Sequence, residues 1–139
     1  MKQIEIDGTK YDIEANALTY FDYERIFKRG VFQDLDILQK FVTTQVVLAD
    51  KYKKENPDLT DAQLEILLSR DMRQNLDEYV LASTRLAYIL IYESNNNIPE
   101  YKEWLKSIKN LRTNDSWIVE VTEFAVDHFC WRASSWRTK

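Results

Sequence analysis

Gly8, Gly30, Pro57 and Pro99 are the only glycines and prolines in this 139-residue chain, and each stands where a hydrophobic pattern stops or starts. Loops that cradle phosphate and strained active-site turns generally rely on glycine to reach positive φ or to let backbone approach a ligand. A chain so poor in glycine reads as a series of helices. Its work is expected to be done by surfaces rather than by a catalytic loop.

The length suits one domain with a real core, and 45% hydrophobic with 30% charged residues lies in the ordinary globular range. A net charge of −4, with lysines and glutamates interspersed, argues against a general phosphate-backbone binder. Nucleic acid is therefore not an expected partner. One cysteine, Cys130, and one histidine, His128, supply neither an intrachain disulfide nor the ligands of a structural zinc site, which fits a reducing cytoplasm. The opening MKQIEIDGTK has no apolar leader region, and the most hydrophobic run, Tyr79 to Tyr92, is too short to cross a bilayer and contains Arg85. The expectation is a chain that is neither secreted nor embedded in a membrane.

Residues Gln3 to Glu14 alternate with period two around Asp7-Gly8-Thr9-Lys10, which predicts a β-hairpin presenting Ile4, Ile6, Tyr11 and Ile13. Helical spacing follows from Ala17 to Arg29, with Tyr20, Tyr23 and Phe27 on one stripe, Leu18 and Phe21 widening it and Gly30 as its C-cap. A second helix is predicted from about Asp34 to Lys54 on Leu35, Leu38, Val42, Val46 and Ala49, ended by Asn56-Pro57. Thr60 with Gln63 has the form of a capping box, opening a third, amphipathic helix through Leu64, Leu67, Leu68 and Met72. From Leu76 to about Glu93 apolar residues occur nearly all round, as in a central helix enclosed by others. Pro99 opens a short helix with Tyr101, Trp104, Leu105 and Ile108 on one face. A last helix is expected from Asp115 or Ser116 to about Trp131. The fold class is mainly α: residues 1–131 form a single domain, with a hairpin at 1–14 packed on a compact bundle of about six helices, and 132–139 form a basic, flexible tail.

Candidate chemistry is sparse. His128 lies on an apolar stripe, and Asp127 beside it points about 100° away on a helix, so a packed structural histidine is the reading. Cys130 sits among aromatics, with no basic cluster to activate it. Glu120, Glu123 and Asp127 fall at i, i+3, i+7, but no answering carboxylate-histidine motif exists for a metal or a glycoside; a solvated face or a bridge to Arg85 or Lys106 is expected. Arg85 reads as a paired structural arginine. No catalytic, cofactor-binding or metal-binding residues are assigned. Four tryptophans, Trp104, Trp117, Trp131 and Trp136, crowd the final third of the chain, and with Phe124 they are the candidate partner-binding residues, because Tyr and Trp anchor protein interfaces.

These residues carry a resemblance. The opening IEIDGTKYDIEANALTYFDYERIF, with the looser LASTRLAYILIY, IPEYKEWLKSI and WIVEVTEFAVDHF, resembles the tail assembly chaperones of long-tailed, siphovirus-type phages of Gram-positive bacteria. The resemblance implies a non-catalytic, late-expressed protein without cofactor. It implies binding to the tape measure protein, recruitment of tail tube subunits, action in the host cytoplasm and absence from the mature virion. In that family a ribosomal frameshift often yields a second, longer product, and this chain looks like the short one; a homo-oligomer is compatible. The competing reading is a small helical phage regulator that binds DNA or another protein through the third helix and the basic tail.

Overall fold

A computed structural model describes residues 2–113 and 115–130 of the chain. It is mainly helical, with one hairpin. Strand β1 (Lys2–Ile6) pairs antiparallel with β2 (Thr9–Ile13), Ile4 opposite Tyr11 and Ile6 opposite Thr9. Asp7 and Gly8 form the two-residue turn, both at positive φ, 50° and 83°, as the right-handed twist of a tight hairpin demands. Ile4, Ile6 and Ile13 point into the core, and the Glu14 N–H donates to the Leu90 carbonyl at 3.0 Å, joining the end of the ribbon to the central helix.

Five helices follow among the described residues: α1 (Leu18–Phe27), α2 (Val31–Glu55), α3 (Asp61–Ser94), α4 (Tyr101–Ser107) and α5 (Ser116–Phe129). The third and fourth predicted helices are a single helix, α3. Leu64, Leu68, Met72, Leu76 and Tyr79 continue one stripe with no glycine or proline between them, so the apparent boundary marks a change in burial, from one face to all round, and not a break in backbone. From Ala82 to Ile91 every residue except Arg85 is buried. This stretch is the spine on which β2, α1, α2, α4 and α5 pack.

The α1–α2 junction departs from expectation. Lys28, not Gly30, adopts the left-handed conformation that closes α1, at φ 58°, and its N–H donates to the Glu24 carbonyl at 2.8 Å. Gly30 is extended, and α2 begins directly after it at Val31, three residues before the predicted start. The Gly30 N–H donates to Gln33 Oε1 at 2.9 Å, the half of a capping box that needs no side chain at the cap. At α3 both halves form, with Gln63 N–H on Thr60 Oγ1 at 3.2 Å and Thr60 N–H on Gln63 Oε1 at 3.0 Å.

At 1.5 Å per residue α2 and α3 are about 37 and 50 Å long, longer than the core they serve. Along α2 the buried residues are Val31, Asp34, Leu35 and Leu38; Val42, Val46 and Val47, predicted core positions in the first two cases, are exposed. In the first half of α3 only Leu68 and Met72 are buried. The two helices thus run on beyond the core as an arm, with Phe41 stacked on Tyr79 at its root (3.9 Å between centroids) and Tyr52 donating to Asp71 further out.

Candidate functional site

The most polar cluster in the interior is built from α1, the junction, α2 and α3. Asp34, fully buried, receives Arg85 in bidentate fashion, Nε on Oδ2 and Nη2 on Oδ1, each at 2.8 Å. Arg29 adds Nη2 to Oδ1 at 2.8 Å, and the Tyr23 hydroxyl donates to Oδ2. Burial, and then the Asp34 charge, push the Tyr23 phenol far above its usual range, so it stays a donor. Three hydrogen bonds and the Arg29 ion pair surround the carboxylate. Such a site holds three helices together and has no acceptor to spare for substrate chemistry. The bridge expected between Arg85 and the α5 carboxylates is replaced by this pairing, because Arg85 faces α2 across the core; Lys106 likewise meets Glu103, at 3.4 Å.

Trp104 and Trp117 are 2% exposed, which removes both from any partner surface. Trp104 packs with Tyr11, Tyr88 and Tyr101, and Trp117 sits on the core face of α5 with Ile118, Val121 and Ala125. Each falls on a helix face that turns inward, so their size serves the core. Phe124 is half-buried and stacked on His128 at 4.2 Å; Trp131 and Trp136 lie outside the described residues, as does the predicted tail. His128 is exposed, with Nδ1 2.9 Å from the Phe124 carbonyl. Cys130 is half-buried against the core edge. Glu120, Glu123 and Asp127 line the outer side of α5, and among the described residues no group of three or more His, Cys, Asp or Glu side chains is placed to hold a metal ion.

Exposed aromatic surface lies elsewhere, at the start of α1 and of α2, apart from the aliphatic side chains such as Val46, Val47, Ile66 and Val119 that stand open along the helices. Leu18 (62%), Phe21 (63%), Phe32 (50%) and Tyr20 (43%) are all open to solvent. Tyr20 lies between Phe32 and Phe129, at centroid distances of 6.0 and 5.2 Å, so these three rings join α1 to α2 and to the end of α5, while Leu18 and Phe21 are exposed on other sides of α1. A shallow cleft of about 240 Å³ opens between Ala15, Ala17, Tyr20, His128 and Phe129. Tyr20, Leu18 and Phe21, expected on or beside the core stripe of α1, are exposed, whereas Tyr23 on that stripe is buried and Phe27 is half-buried. The missed signal was arc width: six large apolar residues on ten positions of α1 spread too far round for one face to bury.

A second, larger cleft of about 620 Å³ separates α1 from the end of α3 and from α4, lined by Phe27, Tyr88, Tyr92, Ile98 and Tyr101 with Arg25, Glu100 and Lys102 at its polar positions. Arg25 lies over the Tyr92 ring and donates to its hydroxyl at 3.1 Å. Close by, Glu93 has a buried oxygen without a hydrogen-bond partner among the described residues, and burial, followed by the neighbouring Asp22 carboxyl, pushes its pKa up to about 7.

No helix among the described residues is long and apolar enough to cross a membrane. No family model matches this chain, and neither the curated proteins nor the solved structures compared with it give a match.

Proposed function

We propose that this chain is a tail assembly chaperone of long-tailed phages of Gram-positive bacteria. It binds and solubilises the tape measure protein in the host cytoplasm, helps recruit tail tube subunits, and carries out no bond chemistry and needs no cofactor. Its support is the resemblance of the four quoted segments together with one observation, the exposure of Leu18, Tyr20, Phe21 and Phe32, of which Tyr20 and Phe32 are in ring contact. Large apolar side chains left half-exposed on several elements at once are a usual mark of a protein-binding surface.

The magnitude fits a partner that must later leave. Covering the exposed half of such side chains gains roughly 1 kcal/mol each, so four supply roughly 4 kcal/mol before the cost of ordering the client is met. Each contact is weak. Many copies along one long client hold it by multivalency, and growth of the tube displaces them one at a time.

Coexpression with the tape measure protein of the same phage is the test. The native chain is expected to raise soluble recovery of that protein and to co-purify with it, and the double variant Phe21→Ser/Phe32→Ser is expected to lose both effects at unchanged helicity and thermal midpoint. If the native chain does neither, the reading fails.

A further inference from the structure

The solvent-facing side of α2 carries a second pattern that the chaperone reading does not use; at its start Asp36 and Lys40 also line a cleft of about 300 Å³ shared with Asn75 and Glu78 of α3. Asp36, Lys40, Thr43, Val47, Asp50 and Lys54 follow one another at alternating spacings of four and three, which keeps them on one seam of the helix. All six are exposed, Val47 to 60%, and Val46 beside it is 63% exposed. The seam is therefore apolar at its middle and charged at both ends.

Its charges are antisymmetric about Gln45. Turned end for end, the seam brings Asp36 opposite Lys54, Lys40 opposite Asp50 and Thr43 opposite Val47. Within one chain Lys40 already meets Asp36, and Lys54 already meets Asp50, each at 3.1 Å. An antiparallel pair of α2 helices would close these two ion pairs into a square of alternating charge at each end, around a centre of valine and threonine methyls. A parallel pair would set Asp36 on Asp36 and Lys40 on Lys40, which is repulsive in every charged layer. A random solvated face has no reason to be complementary to its own reverse at all three layers.

We propose that this face of α2 binds a second copy of the chain, antiparallel, about a two-fold axis near Gln45. The contact is isologous and closes at two copies. Phe32 stands one turn before Asp36 on the same side of α2, just past the end of the seam, so the dimer would carry a Tyr20 and Phe32 contact at each end, and it stands whether or not the chaperone reading holds.

Sedimentation equilibrium of the purified full chain, up to about 1 mM where even weak association is visible, should show a monomer–dimer equilibrium. Lys40→Glu, at a position 77% exposed and outside the core, should weaken the dimer by about tenfold or more. The exchange Lys40→Glu/Asp50→Lys should restore it, although it spoils both pairs within the helix. In a Cys130→Ser background, chains with Thr43→Cys mixed with chains with Val47→Cys should form a disulfide-linked dimer faster than either alone. A chain that is monomeric throughout, a dimer indifferent to Lys40→Glu, or faster cross-linking by either cysteine variant alone would each overturn the proposal. So would a monomeric chain in which Val46→Ser/Val47→Ser abolishes capture of the tape measure protein, since the face would then belong to the client.

Discussion

At Lys28 a side chain with a Cβ occupies left-handed backbone, a conformation that costs an ordinary L-residue about 1 kcal/mol or more. Glycine there would remove that cost while adding freedom to the unfolded chain. Lys28→Gly is expected to stabilise by about 0.5 kcal/mol in chemical denaturation. Gly30 is extended with open space where a Cβ would stand, so Gly30→Ala should be near neutral. The sequence offered a glycine two positions late, and the C-cap rule attached itself to the wrong residue. Glu93 gives the second prediction at this scale. A carboxyl whose pKa is raised on folding favours the folded chain while protonated. That contribution is complete below its ordinary value of 4.5 and is lost as pH rises through about 7. Thermal midpoints should therefore fall over that window relative to Glu93→Gln, in which this part of the pH dependence is flattened.

Among the elements, those announced by local chemistry were legible: the Asp-Gly hairpin, the Thr60–Gln63 cap, the Asn56-Pro57 stop. What local chemistry does not announce is how far a helix outruns its core, which is why Val42 and Val46 read as core and stand in solvent while α3 read as two helices. The hairpin also has a tie that no pattern shows. The Asp7 carboxylate accepts the Lys109 N–H at 2.8 Å, the Asn110 N–H at 3.3 Å and the Asn110 side-chain amide at 3.2 Å, and these donors, the Lys109 amide foremost, hold its pKa below the ordinary carboxylate value. Asp7→Asn keeps a residue tolerant of positive φ and removes the charge. It is expected to leave the turn intact and to speed amide hydrogen exchange at Lys109 and Asn110, measured by NMR.

For the molecule as a whole, the exposed aromatic surface was the least legible feature, since a count of tryptophans cannot say which side of a helix faces in. Trp104 and Trp117 went to the core, and Phe21, which read as core, came out to the surface. The buried Asp34 cluster was half-read, as a paired Arg85 without its partner. Arg85→Met, which strips the bidentate donor, is expected to destabilise the fold by about 3 kcal/mol in urea, and Asp34→Leu/Arg85→Met together by markedly less, because no charge is then stranded. That same cluster has a bearing on where the arm points. Leucine and valine faces are forgiving: slide α2 along α3 by one turn, about 5.4 Å, and most greasy contacts find substitutes. A carboxylate clasped by two guanidiniums finds none. Each misaligned packing would strand a bare charge in oil, so a single aspartate acts as the key that makes every folded copy hold its arm at one height and one angle.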